Sequence, residues 1–267
     1  MISINGLIIN TQSRFPDGTM NLKLDNLDQS CYKITWKYEN ENELIALIYL
    51  VNHIRTNCFN TPRIYLYMPY CPNARMDRVK NRDEIFTLKY FANIINSLNF
   101  DTVEILDPHS NVAPALIDRV RIKTPEEYIQ KAYRSIIEET NDNIILFYPD
   151  EGAMKRYSNN NFGVPYCFGI KNRDWRTGQI KGLDIIGDEK LIKNKNILII
   201  DDICSRGSTF YHSAKKLKEL GANKIYLYVT HCENTILEGE IINSDLIEKM
   251  YTTNSIFTEK HPKIEVI

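Results

Sequence analysis

The chain has 267 residues, 43% of them hydrophobic and 25% charged, which is ordinary for a globular protein and enough for two modest domains. A formal net charge of −1 at pH 7 gives no electrostatic reason to expect nucleic acid or a membrane surface as a partner. The first residues do not resemble a secretion signal, no apolar run approaches about 18 residues, and the six cysteines are scattered singly, so we expect a cytoplasmic protein with reduced thiols.

Short apolar runs alternate with amphipathic segments along the chain. The runs are rich in β-branched and aromatic residues, which is typical of strands buried on both faces of a parallel sheet. The alternation predicts an α/β fold with two domains, residues 1–125 and 126–267, each a mostly parallel sheet flanked by helices. In chain order we predict a helix at 41–55, a strand at 63–68, a helix at 83–98, a strand at 102–106, a helix at 126–138, strands at 143–148, 164–170 and 196–200, a helix at 209–220 and a strand at 224–229.

Polar clusters come directly after four of the predicted strands. Ligands of open parallel sheets bind beyond the carboxyl ends of the strands, so we expect a site for small charged ligands there. The clusters are 107–109 (DPH), 150–152 (DEG), 171–173 (KNR) and 201–202 (DD).

The strongest single motif is the segment 196–210, NILIIDDICSRGSTF. An apolar strand leads to Asp201 and Asp202, then to a short loop with Gly207 and a helix that opens near Thr209. A helix N-terminus offers N–H groups and a favourable dipole to a phosphate, and adjacent carboxylates can hold ribose hydroxyls or magnesium-bound water. An acidic strand end followed by an ordinary turn is the alternative interpretation.

This segment resembles the phosphoribosyl pyrophosphate loop of type I phosphoribosyltransferases and of ribose-phosphate pyrophosphokinases. Further stretches resemble the second family, in that family's order, from about residue 14 to residue 256. A simple phosphoribosyltransferase would account only for the second half of the chain. The stretches are 14–19 (RFPDGT), 69–78 (PYCPNARMDR), 107–110 (DPHS), 149–156 (PDEGAMKR), 171–173 (KNR), 230–231 (TH) and 251–254 (YTTN).

The resemblance implies a pyrophosphokinase that transfers the β,γ-diphosphate of MgATP to the anomeric hydroxyl of ribose 5-phosphate and releases AMP. It implies two phosphoribosyltransferase-like domains with the active site between them. The first would carry the ATP-site segments, and the second would carry the ribose-phosphate loop and a catalytic flexible loop. It also implies Mg²⁺ as cofactor and a homodimer or higher homo-oligomer, because the 14–19 segment would reach the ATP site of a neighbouring subunit.

The resemblance also assigns roles to individual residues, and each role suits the chemistry of its side chain. Lys171 and Arg173 are the candidate catalytic residues, because two cations can stabilise the charge on the phosphoryl group in transfer. His109 and Asp150 are candidate magnesium contacts, and Asp150 supplies the oxygen ligand that magnesium prefers. The other candidates are Phe15, Asp17, Arg75, Asp77 and His109 for ATP, Asp201 and Asp202 for the ribose hydroxyls, and Ser205, Arg206, Gly207, Ser208 and Thr209 for the 5-phosphate.

Residues 172–195 contain three glycines and no convincing strand. We expect a mobile lid here, since closure over ATP would exclude water and limit hydrolysis. A solvated surface loop is the alternative.

The sequence departs from the family pattern at three points. Thr19 replaces the usual glutamate and Met76 the usual glutamine, which weakens the expectation of standard adenine recognition. The loop reads SRGST instead of a DTGGT-like sequence, so Arg206 adds a cation that can bind a larger phosphate group. The same chemistry on ADP-ribose in NAD salvage, as in some phage-encoded relatives, is therefore an alternative. A catalytically silent regulatory or phosphoribosyl pyrophosphate-binding homologue is an alternative of another class, against which the retained Lys171, Arg173, His109 and Asp150 argue.

Overall fold

A computed structural model describes residues 1–25, 27, 29–58, 60–142, 144–159, 163–173, 180–187 and 189–267, with the backbone alone at 171–173, 180–183 and 189. The chain divides into two compact units, Met1–Thr124 and Pro125–Ile267. Within the described ranges, no helix is long and apolar enough to cross a membrane.

The described part of unit 1 contains one sheet with helices α1 to α3. Its elements are β1 (Ile2–Ile4), β2 (Leu7–Ile9), β3 (Cys31–Trp36), α1 (Asn42–Asn57), β4 (Arg63–Met68), α2 (Thr87–Ser97), β5 (Thr102–Leu106), α3 (Val112–Leu116) and β6 (Val120–Lys123). The strands lie in the order β2-β1-β3-β4-β5-β6. Strands β3 to β6 are parallel, whereas β1 is antiparallel to both of its neighbours.

Unit 2 is built on a second sheet. Its elements are α4 (Glu126–Thr140), β7 (Ile144–Tyr148), α5 (Glu151–Tyr157), β8 (Tyr166–Arg173), β9 (Ile180–Ile186), β10 (Asn196–Cys204), α6 (Ser208–Glu219), β11 (Ile225–Cys232), α7 (Glu240–Asn243), β12 (Lys249–Thr252) and β13 (Ile264–Val266). The described strands lie in the order β13-β12-β11-β10-β7-β8-β9. They run parallel except for β9, which is antiparallel to β8.

The strands of the two units are buried differently. All residues of β7 and β11 are buried, as expected for strands covered on both faces. In β4, fully buried residues alternate with less buried ones, so the expectation of burial on both faces is wrong for this strand. The strand β3, which the sequence did not predict, shows the same alternation.

One face of the unit 2 sheet is lined by tyrosines. These side chains pack with aliphatic residues of α4 and α5 and are at most 1% exposed. Burial raises the pKa of Tyr148 to about 12 and also raises the pKa of Tyr226 and Tyr251. The tyrosines of this face are Tyr148, Tyr226, Tyr228 and Tyr251, and Tyr157 of α5 packs in the same cluster.

Two mostly parallel sheets flanked by helices confirm the predicted α/β fold class. Two local predictions are wrong. Residues 172–195 contain the strand β9, and the clusters at 171–173 and 201–202 lie inside β8 and β10 rather than after them. The reason is tertiary pairing: Asp201 pairs with Val229 and Cys204 with Cys232, so β11 extends β10 through its polar residues.

Candidate active site

The turn between β10 and α6 presents the N-terminus of a three-turn helix. Gly207 is the N-cap of α6 and has no side chain that could hydrogen-bond to the first turn. The Tyr211 N–H donates to the Gly207 carbonyl at 2.9 Å. The N–H groups of Ser208, Thr209 and Phe210 come before Tyr211 in the first turn of α6. The first N–H groups of a helix have no carbonyl acceptor within that helix. This end of α6 is therefore suited to an anion, as the sequence predicts.

Glycine is required at position 207 for two reasons. Its φ of 74° lies in the left-handed region. A Cβ there would lie 2.3 Å from Cγ2 of Ile241 and 3.1 Å from Cδ1 of Ile236. The segment after β11 thus packs directly against the turn and fixes its course.

Two carboxylates from that segment contact the turn. The Ser205 hydroxyl donates to Oε2 of Glu233 at 2.6 Å. The Arg206 guanidinium donates to Oε2 of Glu238 at 2.9 Å, and both of these side chains are largely exposed. Neither glutamate was predicted from the sequence, although Glu233 directly follows Cys232, the last residue of β11. The two candidate residues Ser205 and Arg206 are therefore already hydrogen-bonded to acidic side chains.

The acidic pair on β10 lies near the end of β7, because the two strands are parallel neighbours. Burial, followed by the negative charges of Asp202 and Asp150, raises the pKa of Asp201 well above its usual value. Nη1 of Arg156 lies 3.5 Å from Oδ2 of Asp202. The structure thus brings together three predicted residues, Asp150, Asp201 and Asp202, and adds Arg156, which sequence analysis did not assign.

Asp150 has a fixed orientation. It is the N-cap of α5, and its Oδ1 accepts a hydrogen bond from the Ala153 N–H at 3.0 Å. Magnesium that arrives with ATP keeps most of its ligands from phosphate and water and needs one or two protein carboxylates. A carboxylate held in place by the backbone fits that requirement. Within the described ranges, no group of three or more His, Cys, Asp or Glu residues forms a common metal site.

The two candidate catalytic residues lie on β8. The backbone of Lys171 pairs with Leu183 and that of Arg173 with Ile180, across the hairpin formed by β8 and β9. The register shifts between Asn172 and Arg173, which interrupts the regular pairing of the two backbones at this point. Their side chains lie outside what the structure describes.

The predicted lid does not coincide with the structure. Residues 180–186 form β9, whereas we expected a segment without strands. Residues 174–179 lie outside the described residues, so the expected closure over ATP stays a prediction.

In unit 1, two predicted ATP-site segments share one edge of the sheet. The segment 69–78 follows β4 and the segment 107–110 follows β5, and these strands are parallel neighbours. Arg75 is exposed, Asp77 lies 3.8 Å from Nε of Arg78, and His109 is half-buried. The structure therefore places Arg75, Asp77 and His109 in segments that follow the carboxyl ends of two neighbouring strands of one sheet.

The RFPDGT segment forms a small exposed turn. The Phe15 N–H donates to the Thr19 carbonyl at 2.9 Å, and Phe15 is 51% exposed. Oδ1 of Asp17 accepts hydrogen bonds from the Thr19 N–H at 2.9 Å and from the Thr19 hydroxyl at 2.7 Å. These bonds lower the pKa of Asp17. Thr19, which departs from the family pattern, thus stabilises the turn that exposes Phe15.

Comparisons with known proteins show which proteins this chain is similar to. A family model described as "Phosphoribosyl synthetase-associated domain" matches residues 176–266. The ribose-phosphate pyrophosphokinase of Campylobacter jejuni is 27% identical, over 95% of this chain and 82% of that protein. The enzyme of the same name from Thermococcus kodakarensis is 28% identical, over 92% of this chain and 85% of that protein.

A solved structure shows the same fold. The phosphoribosylpyrophosphate synthetase from Mycobacterium smegmatis superposes with a TM-score of 0.75 and 19% sequence identity, and the match covers 96% of this chain and 84% of that one. This likeness confirms the predicted architecture of two phosphoribosyltransferase-like domains. The similarity extends over nearly the whole chain.

Proposed function

We propose that this chain, a distant member of the ribose-phosphate pyrophosphokinase family, transfers the β,γ-diphosphate of MgATP to the C1 hydroxyl of a 5-phosphorylated ribose and releases AMP. The observation that carries the proposal is the presence of two adjacent carboxylates on β10 shortly before the N-terminus of α6, whose N-cap is a glycine. Together they match the diol and the phosphate of one ribose 5-phosphate. Ribose 5-phosphate is the first candidate acceptor, because the relatives are named for ribose phosphate.

Each group of residues has a distinct role in this proposal. Asp201 and Asp202 bind the ribose 2- and 3-hydroxyls and so orient C1 towards ATP. The first N–H groups of α6 bind the 5-phosphate. Lys171 and Arg173, on β8, stabilise negative charge on the diphosphate during transfer.

The nucleotide is bound mainly by unit 1 in this proposal. Arg75, Asp77 and His109 contact ATP, and Phe15 and Asp17 contact the nucleotide of a neighbouring copy, so the active form is at least a homodimer in the cytoplasm. Asp150, with His109, would hold Mg²⁺. When bound, Mg²⁺ neutralises charge on the phosphoryl oxygens.

The test is a direct assay of both products. The protein is incubated with MgATP and either ribose 5-phosphate or ADP-ribose, and AMP and the new product are followed by mass. We expect AMP together with an acceptor that is heavier by one diphosphate, and no reaction without magnesium. Asp201→Asn should abolish the reaction, whereas Asp245→Asn, at an exposed position away from this site, should not. Absence of AMP with every acceptor would reject the enzyme function in favour of a regulatory homologue.

ADP-ribose is the second candidate acceptor. Arg206, which the family pattern does not contain, is largely exposed at the turn and its guanidinium contacts Glu238. With this acceptor, Arg206 would contact the groups that extend beyond the first phosphate. AMP formation with ADP-ribose but not with ribose 5-phosphate would identify this acceptor.

A further inference from the structure

A carboxylate in a fixed position lies beside the turn that is proposed to bind the acceptor phosphate. Oε2 of Glu233 accepts hydrogen bonds from the hydroxyls of Ser205 at 2.6 Å and Thr235 at 3.3 Å. The Glu233 N–H donates to the Cys204 carbonyl at 2.8 Å. The contacts with Cys204 and Ser205 tie the glutamate to the last residue of β10 and to the turn itself.

The segment that carries Glu233 packs tightly on the turn. A Cβ on Gly239 would lie 2.1 Å from the Arg206 carbonyl oxygen, so the two backbones are in direct contact. Glu238, just before this glycine, forms an ion pair with Arg206. Two carboxylates, Glu233 and Glu238, and one guanidinium therefore lie at the turn.

A carboxylate at this position has a specific electrostatic consequence. Near neutral pH a phosphate monoester carries close to two negative charges, since its second pKa is about 6, whereas a phosphodiester carries one. Each negative charge of the ligand is repelled by Glu233, and the repulsion grows with the ligand's charge. The hydroxyl of Ser205, which would otherwise donate to the ligand, donates to the glutamate instead.

We propose that Glu233 is a specificity-determining residue of the acceptor turn, which disfavours a doubly charged 5-phosphate monoester relative to a singly charged 5-phosphodiester. The inference rests on the proposed function, because it assumes that the acceptor phosphate binds at the start of α6. It concerns the charge on the 5-phosphate itself, which is about two negative charges in ribose 5-phosphate and about one in ADP-ribose, where the next phosphate carries a further negative charge.

The test measures binding without ATP. Ribose 5-phosphate and its methyl phosphodiester are titrated calorimetrically against the whole protein and against Glu233→Gln, which keeps the shape and an acceptor oxygen but removes the charge. We expect the substitution to tighten binding of the monoester by about three- to tenfold, as for one unit charge removed a few ångströms away in a partly solvated site. Binding of the diester should tighten less. Glu240→Gln, at an exposed position in α7 near the same segment, is the matched control and should change neither affinity by more than about twofold.

Each outcome decides the question. Unchanged monoester binding, or an equal gain for both ligands, would overturn the inference. If Glu233→Gln does not fold, the binding of both ligands to the unmodified protein is measured at several ionic strengths instead. The unmodified protein should bind the diester more tightly than the monoester at low ionic strength and lose that preference as salt screens the carboxylate. Absence of the preference at low ionic strength would overturn the inference. The expected binding pattern without AMP formation would reject the pyrophosphokinase function alone. Failure of the unmodified protein to bind either ligand would reject both.

Discussion

Replacing Gly207 by alanine tests whether the turn before α6 is fixed by packing or only by its backbone conformation. Two costs are expected. An L-residue in the left-handed region costs about 1–2 kcal/mol. Forcing a methyl group to within 2.3 Å of Cγ2 of Ile241 adds the cost of an overpacked core, about 1–3 kcal/mol. The free energy of unfolding of unit 2 should therefore fall by about 2–5 kcal/mol.

Gly221, at the other end of the same helix, is the matched control. Its φ is 85°, but the nearest atom to an added Cβ is Cγ of Lys193 at 3.4 Å, which is an ordinary contact with a flexible side chain. Gly221→Ala should therefore cost only the backbone strain, about 1–2 kcal/mol. The difference between the two variants isolates the packing of the turn against Ile241.

Urea unfolding followed by circular dichroism measures both variants. With equal m-values, a lower midpoint for Gly207→Ala than for Gly221→Ala is the expected result. The first variant should also bind ribose 5-phosphate more weakly, because the turn must shift to admit the methyl group, whereas the second should bind as before. Equal losses of stability in the two variants would refute the reasoning, since they would show that the segment after β11 moves away from the turn at no cost.

Three further predictions concern individual side chains. The raised pKa of Asp201 means that the folded chain holds a proton that the unfolded chain releases, so the free energy of unfolding should fall as pH rises from about 4. Asp201→Asn should raise the free energy of unfolding, by more at pH 8 than at pH 5. A free energy of unfolding that does not change with pH in either protein would contradict this. Lys171→Ala should lower kcat by about a hundredfold or more and change acceptor affinity by less than about threefold, and a loss confined to affinity would remove its role in transfer. Thr19→Val removes the hydroxyl that donates to Asp17 and should raise the pKa of Asp17 towards its usual value in an NMR titration, and an unchanged pKa would show that the backbone N–H suffices.

The sequence predicts those elements whose signal is local. Long apolar runs mark β4, β7 and β11, and amphipathic spacing marks α1, α4 and α6, all close to their observed bounds. The three-residue strands β1, β2 and β13 carry too few residues for a periodic pattern, and they exist because a neighbouring strand pairs with them. The strands β8 and β10 run past their polar residues for the same reason, since backbone pairing with a partner outweighs the polarity of the side chains.

In the candidate site, too, residues within local motifs are predicted from the sequence, whereas contacts between distant parts of the chain are not. Asp201, Gly207 and Asp150 occur within recognisable motifs, so sequence alone indicates them. Glu233 was missed because its contact with Ser205 joins residues that are 28 positions apart. Arg156 lies within the PDEGAMKR motif, but only the parallel pairing of β7 with β10 brings its helix near Asp202.

The tyrosine-lined face of unit 2 has a consequence in alkali. A buried phenol that keeps its proton in the folded chain loses it once the chain opens, because the ordinary pKa of tyrosine is about 10 and that of Tyr148 here is about 12. Between these values, opening of the unit releases protons, and stability falls as pH rises. Ionisation of these phenols is thereby coupled to unfolding. The ultraviolet absorbance of phenolate should appear over the same pH range as the loss of the helical circular dichroism signal. The absorbance change of the tyrosines would then report the opening of this unit.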